Sequence, residues 1–185
     1  MDEKQLTVCL RYYGISPWEI EVVYNLFNGK FEVIQEETEQ TELNFVSALT
    51  IIISLPFNEE FFKWFEFREW AKVKHIIKEM KRRRGKGNAI IIEIIFTGDP
   101  NIRFVTDLSE NHNFNSAIEK IDFMVELLPY HLNHSKMKNW CKKPQQVNYG
   151  YDVHSGKWYV DIVARLTGYA ERGTRSFNID DLRDL

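Results

Sequence analysis

One stretch constrains this chain more than any other. In residues 59–97 a helical pattern ends at glycines and is followed by the most apolar segment of the sequence. Six aromatic side chains fall within ten positions at its start: Phe61, Phe62, Trp64, Phe65, Phe67 and Trp70. Because a helix turns once in about 3.6 residues, these side chains cannot share one stripe. We therefore expect this end of the helix to be covered on more than one side.

The region before that stretch combines strand and helix patterns. Leu6 to Tyr12 alternates apolar and polar side chains, which predicts a half-buried strand. Ser16 and Glu19 have the spacing of a capping box, with proline next to the cap, so a helix is predicted from Pro17 to Asn28. A second strand is predicted to begin at residues 31–34, before a connection rich in glutamate.

The next segment is ambiguous. Asn44 to Leu55 keeps a helical spacing of apolar residues, whereas Thr50 to Ile53 are typical of a strand. Its length exceeds that of a usual strand, so we interpret it as a helix. One long helix is then predicted from a cap at Asn58 to about Arg84.

A central strand is predicted from Ala89 to Phe96, because only Glu93 interrupts its apolar run. The turn at residues 98–101 should return the chain as an antiparallel partner over residues 102–108. A second capping box, formed by Ser116 and Glu119, predicts a further helix. That helix should be kinked or ended near Pro129.

The last part of the chain has three alternating segments, at residues 146–153, 157–166 and 176–179, which predict an antiparallel β-meander. The fold class is therefore α+β, with a mixed sheet covered by two or three helices and a C-terminal meander. We divide the chain into an α+β part, residues 1–110, and a helix with the meander, residues 111–185. The patterns leave open whether the two parts pack as one unit.

Composition narrows the class of protein. Cys9 and Cys141 are the only cysteines, and no secretory leader is visible at the start, which favours a cytoplasmic protein with reduced thiols. The longest uncharged run, residues 43–58, is too short to span a membrane. No motif for a phosphate, a nucleotide or another cofactor is found, so we predict no cofactor and no bound metal.

The charge is distributed unevenly. Residues 71–88 hold 8 bases and 1 acid, whereas the net charge of the whole chain is −3. A basic run of this kind favours either a solvated helix end or a site for anions such as nucleic acid. The residues that would bind the anion are Lys78, Lys81, Arg82, Arg83, Arg84 and Lys86.

The aromatic start of the long helix is the predicted contact surface. Tryptophan and phenylalanine bury large areas at interfaces, so aromatic side chains that the core does not need indicate a surface for a partner. The interface residues predicted in this way are Phe61, Trp64, Phe67 and Trp70. We expect a non-enzymatic binding or regulatory protein that contacts another protein or a second copy of itself.

Three weaker constellations were weighed against surface roles. Asp152, Asp161 and Lys157 would serve a metal-dependent hydrolase or nuclease if they converged in a pocket. His131, His134, Cys141 and His154 are candidate metal ligands, but their spacing matches no known zinc pattern. Arg165, Arg172 and Arg175 gather near the final turn, where Glu171 and Asp161 would offset an anion site.

The order of elements over residues 5–109 resembles the small effector-associated adaptor domains of bacterial conflict systems. The resemblance is carried by the predicted strands and helices up to residue 105, with Trp70 and the arginines 82–84 at the end of the long helix. In that family the tryptophan and the arginine pair lie close together, whereas here Arg82 lies twelve positions after Trp70. The resemblance implies a module that recruits another protein by domain pairing, without catalysis.

Overall fold

The computed structural model describes residues 6–40, 42–133, 145–161 and 176–177. Its strands are β1 Thr7–Tyr13, β2 Glu32–Glu37, β3 Ser47–Ile53, β4 Ile90–Phe96, β5 Asn101–Thr106, β6 Gln146–Asp152, β7 Lys157–Asp161 and β8 Ser176–Phe177. Its helices are α1 Pro17–Phe27, α2 Glu59–Phe65, α3 Phe67–Arg84, α4 Asn111–Glu119 and α5 Met124–Asn133.

The strands form one mixed sheet in the order β2-β1-β3-β4-β5-β6-β7-β8. Three neighbouring pairs are parallel, β1 with β2, β3 with β4 and β5 with β6, and helices connect the two strands of each pair. The remaining neighbours are antiparallel, including the three strands β6 to β8 at the C-terminal side. The α+β class and the antiparallel meander are therefore confirmed.

The core lies on one face of the sheet. The strand register aligns a row of buried side chains across it, and these pack in one cluster with buried residues of the helices. The members of that row are Leu10, Ile51, Ile94, Phe104, Tyr149 and Val160. The helices therefore cover this face of the sheet.

Aromatic rings run through the core as a connected series of contacts. Phe31 contacts Phe65, Phe65 stacks on Phe61, and Phe61 meets Phe96 edge to face. The series continues through Phe57 and Phe104 to Trp158 on β7. Most of the aromatic side chains that stand out in the sequence are therefore used to fill the space between the helices and the sheet.

Residues 44–55 do not form the predicted helix. Ser47–Ile53 is strand β3, which lies between β1 and β4 and alternates fully buried with half-buried residues. Because it is an interior strand with apolar residues on both faces, its spacing resembles a helical pattern. The β-branched residues 50–53, which are typical of a strand, indicate the correct structure for this segment.

The predicted capping box at Ser116 is also wrong. Helix α4 begins at Asn111, so Ser116 lies inside it, and its Oγ is 2.8 Å from the Tyr151 hydroxyl. The helical segment is interrupted after Glu119 and resumes as α5, which contains Pro129. By contrast, the box at Ser16 and Glu19 is confirmed, with both reciprocal hydrogen bonds present.

Candidate functional site

The predicted long helix is broken at Glu66. This residue has φ 73° and ψ 126°, a backbone conformation that a side chain with a Cβ rarely adopts, and it separates α2 from α3. We refer to residues 64–67 as the α2–α3 corner. The corner corrects the prediction of one helix from residue 58 to 84.

The break follows from the two buried faces that it joins. The buried side chains of α2 are aromatic and those of α3 continue as Trp70, Val73 and Ile77. At about 100° per residue, an unbroken helix would place these two faces about 100° apart. A local change of direction at Glu66 brings both faces onto the same core.

Lys30 holds the corner in place. Its Nζ donates to the main-chain oxygen of Trp64 at 2.7 Å and to Oε1 of Glu66 at 2.9 Å. The hydrogen bond and charge of Lys30 lower the pKa of the Glu66 carboxyl. The ammonium also lies 5.5 Å from the centroid of the Trp64 ring, which packs edge to face against Phe31.

The four predicted interface residues separate into two pairs. Phe61 and Trp70 are 3% and 1% exposed and belong to the core. Trp64 and Phe67 are 40% and 56% exposed, on either side of Glu66. Phe67 stacks on the buried Phe62, with ring centroids 5.6 Å apart. The corner therefore presents two large aromatic side chains to solvent from a position fixed by the core and by Lys30.

Replacing Glu66 with glycine is expected to give a more stable protein than replacing it with alanine, by about 1 kcal/mol. Both substitutions remove the carboxylate that Lys30 contacts, but only glycine relieves the positive φ. Urea unfolding of the two variants measures the difference. At an ordinary position glycine is the less stable of the two, so a lower stability of the glycine variant would contradict the strained corner.

The basic segment at the other end of α3 is largely neutralised. Seven of its eight cations have a carboxylate within ion-pair distance, and these are Lys72, Lys74, Lys78, Arg82, Arg83, Arg84 and Lys86. The eighth, Lys81, is fully buried and donates from Nζ to the Gly87 carbonyl at 2.9 Å. Burial lowers the pKa of the Lys81 ammonium.

Arg84 is a structural residue rather than an exposed cation. Its two terminal nitrogens each donate to one carboxylate oxygen of Glu19 at 2.8 Å, and its Nε donates to Ser47 Oγ at 3.0 Å. Ser47 in turn donates to the carbonyl of Ala89 at 2.7 Å. This partly buried network, which we call the Glu19–Arg84 lock, joins the start of α1, the end of α3 and the starts of β3 and β4.

Arg84 lowers the pKa of Glu19 to about 2 by hydrogen bonding, with smaller contributions from Ser16. A carboxyl with a depressed pKa in the folded state stabilises the protein above its unfolded pKa and loses that effect as the pH falls through the folded value. We expect the stability difference between wild type and Glu19→Gln to shrink by roughly 3 kcal/mol from pH 5 to pH 2. Urea titrations of both proteins across this range measure it. A stability difference between the two proteins that stays constant with pH would contradict a stabilising Glu19–Arg84 ion pair.

Three basic residues stay accessible at this end: Arg82, Arg83 and Lys86. Arg82 and Arg83 share the carboxylate of Glu79, and Arg83 also lies over the exposed ring of Trp18, 4.7 Å from its centroid. In the sequence, the aromatic residues lie at the start of the predicted long helix and the basic residues lie towards its end. The structure instead brings an aromatic residue of α1 beside the basic end.

The other constellations find simpler roles or lie outside the described residues. The carboxylate of Asp152 accepts hydrogen bonds from the main-chain nitrogens of His154 and Ser155, which closes the β6–β7 turn. Lys157 lies opposite Asp152 in the strand register. Within the described part of the chain, no three His, Cys, Asp or Glu side chains are grouped to hold a metal. The positions outside it are His134, Cys141, Arg165, Glu171, Arg172 and Arg175, together with the side chain of Asp161.

Sequence reasoning missed an exposed apolar stripe on α5. Phe123, which immediately precedes the helix, is 65% exposed, Leu127 is 39% exposed and Tyr130 is 75% exposed. They occur at i, i+4 and i+7, a spacing that places them on one side of a helix. The signal was visible in the sequence, because these three residues lie off the helically spaced apolar series formed by Ile118, Ile121, Val125, Leu128 and Leu132.

Neither a scan against protein-family models nor searches of curated proteins and of solved structures found a match to this chain. In the described part of the chain, no helix has both the length and the apolar character required to cross a bilayer. The site therefore has to be interpreted from its own geometry.

Proposed function

We propose that this protein is a non-enzymatic binding module that contacts a protein partner through the α2–α3 corner. The observation that carries the proposal is the exposure of Trp64 and Phe67, which remain at the surface after the neighbouring aromatic residues have filled the core. Aromatic side chains of this size dominate binding energies when a partner covers them.

The rigidity of the corner supports the same proposal. Trp64 is supported by Phe31 and Lys30, and Phe67 is supported by Phe62, so neither side chain has to be ordered when a partner binds. Fixing a contact residue in advance lowers the entropic cost of association.

The charges around the corner fit a protein rather than a polyanion. Lys30 pairs with Glu66, Lys63 with Glu59 and Lys72 with Glu69. The surrounding rim therefore has paired charges of both signs, as is usual around the apolar centre of a protein interface.

The test is a quantitative comparison of bound proteins from cell extract, using immobilised wild type, the double variant Trp64→Ala with Phe67→Ala, and a control. The control is Leu43→Ala with Val46→Ala, which removes exposed apolar side chains from a different surface. A partner retained by wild type and control but lost from the corner variant is then purified and titrated by calorimetry. We expect its Kd to rise at least about 100-fold for the corner variant. Equal binding by all three proteins would overturn the proposal.

A second candidate function is nucleic-acid binding through Arg82, Arg83 and Lys86, favoured by the exposed ring of Trp18 beside Arg83. Bases stack on such a ring while basic side chains contact phosphates. Anisotropy of a labelled single strand at low salt tests it, with Arg82→Ala, Arg83→Ala and Lys86→Ala combined as the comparison. A flat titration for wild type removes this candidate, and binding that weakens with salt and in the variant supports it.

A further inference from the structure

The outermost strand of the described sheet, β2, has one free edge. It begins the strand order and lies parallel to β1 on its other side. The Glu32 nitrogen donates to the Leu6 carbonyl at 2.9 Å, and the Thr38 nitrogen donates to the Tyr12 carbonyl at 2.8 Å. In a parallel pair, every second residue of a strand bonds to the same neighbour. The main-chain groups of residues 33, 35 and 37 therefore point away from β1, towards the free edge.

The edge of β2 lacks the usual features that prevent another strand from adding to it. Such edges are commonly very short, bulged, interrupted by proline or lined with lysine. β2 contains no proline and no lysine, and its register with β1 runs over six residues without a bulge. Unpaired main-chain groups at an edge of this kind bind an extended polypeptide as an additional strand. The free edge of β2 therefore fits an extended segment better than a helix.

The side chains of β2 determine the chemistry of the segment that would fit. Val33 is in register with the buried Val8 and packs against the core. Because side chains alternate between the two faces of a sheet, the face opposite the core bears Glu32, Ile34 and Glu36 in turn. An added strand places every second side chain beside these three. The complementary order on that strand is basic, apolar, basic.

We propose that the free edge of β2 binds an extended basic segment of another protein, which adds as a further strand with basic, apolar and basic side chains at alternate positions. Residues 32–42 hold five acids and no base. Of the three glutamates in β2, only Glu36 has a cation within ion-pair distance in the described part of the chain, and that cation is the exposed Arg11. Most of the negative charge along the edge is therefore available to a cationic segment.

A second copy of this chain does not fit the same edge. Antiparallel pairing about Ile34 places Glu32 of one copy opposite Glu36 of the other, and parallel pairing in register places Glu32 opposite Glu32. Like charges directly opposite each other destabilise a strand pair. Nucleic acid is repelled by the same carboxylates, because its backbone is negative. The inference rests on β2 and does not depend on the function proposed for the α2–α3 corner.

The test is fluorescence anisotropy of a labelled peptide, Thr-Arg-Thr-Ile-Thr-Arg-Thr, titrated with the full chain at low salt. The control peptide has glutamate in place of both arginines. We expect saturable binding of the arginine peptide and at least about tenfold weaker binding of the control. Glu32→Lys reverses one exposed charge on the edge, so it should raise the Kd of the arginine peptide at least about fivefold.

Two variants at one position separate strand addition from charge attraction alone. Gln35→Pro removes a main-chain donor that points to the free edge, whereas Gln35→Ala keeps that donor, and neither changes the charge. Because β1 does not use this donor, both variants should stay folded, which circular dichroism checks. The Kd of the arginine peptide should rise at least about tenfold in Gln35→Pro and change less than about twofold in Gln35→Ala. Glu32→Lys still decides the charge requirement if the proline variant does not fold.

The outcomes separate this inference from the proposed function. A flat titration of wild type with the arginine peptide overturns it. Equal affinities of Gln35→Pro and Gln35→Ala also overturn it, because binding would then need no main-chain pairing. The corner variant, Trp64→Ala with Phe67→Ala, keeps the edge of β2 and should bind the peptide as wild type does. Loss of peptide binding in that variant would assign the peptide to the corner and overturn the inference. Failure of partner capture at the corner, in turn, leaves the peptide affinity expected here unchanged.

Discussion

Replacing Arg84 with methionine is expected to lower the free energy of unfolding by about 3–5 kcal/mol, because it leaves the Glu19 carboxylate buried without its cation. The substitution keeps most of the aliphatic volume of the side chain, so the loss reports the lock rather than a cavity. The Arg84 side chain also donates hydrogen bonds to Ser47 and to the Met80 carbonyl, and a methionine side chain can donate neither of them. Urea unfolding at neutral pH measures the change.

The matched control lies two residues away. Arg82 also pairs with a glutamate, Glu79, but its side chain is mostly exposed. Arg82→Met should therefore cost less than about 1 kcal/mol. The double variant Glu19→Leu with Arg84→Met should recover most of the stability lost in Arg84→Met, since an apolar pair can replace a buried ion pair. Equal losses of unfolding free energy in Arg82→Met and Arg84→Met would show that the Glu19–Arg84 lock stabilises the fold no more than an exposed ion pair does.

The lock also explains why the basic run is a poor guide to function. A count of charges along residues 71–88 suggests a strongly positive surface, yet two of these cations are used within the chain. Lys81 is fully buried and donates to the Gly87 carbonyl in the loop after α3, and Arg84 is half-buried and pairs with Glu19. Helix ends favour cations for reasons that are independent of any ligand. The net charge of a segment therefore overstates the positive electrostatic potential at the protein surface.

Most local signals predict element boundaries correctly. The Ser16 and Glu19 box, the glycines after Arg84 and the turn before β5 each depend on neighbouring residues, and each marks a boundary in the structure. The box at Ser116 and Glu119 has the same local form and fails, because Ser116 lies inside α4. The break at Glu66 has no such signal. Glutamate is not a residue that ends helices, and the break exists because two buried faces must meet one core.

Burial within the aromatic cluster also depends on distant residues. Phe61 and Phe67 have the same side chain and lie six positions apart, and no property of either position in the sequence separates them. Phe61 contacts Phe96 on β4, whereas Phe67 has only Phe62 beneath it among the ring contacts. Which aromatic side chains belong to the core is therefore decided by the pairing of α2 with the sheet, and that pairing is a tertiary property.

The difference between these two phenylalanines leads to the second large effect. Phe61→Ala is expected to lower the free energy of unfolding by about 3–5 kcal/mol, because it opens a cavity among Phe62, Phe65 and Trp70. Phe67→Ala removes the same atoms from a side chain that is 56% exposed, so its cost should stay below about 1.5 kcal/mol. Thermal and urea unfolding of the two variants measure the contrast.

The same pair of variants separates stability from binding. If the corner is the contact surface, Phe67→Ala should weaken partner binding while leaving the fold almost as stable, because its exposed ring is available to a partner. Phe61→Ala should behave in the opposite way at temperatures where it remains folded, since its ring is enclosed by the chain. A large loss of stability in Phe67→Ala would mean that this side chain is part of the core after all. The α2–α3 corner would then offer Trp64 alone, which is too little apolar surface for a specific interface.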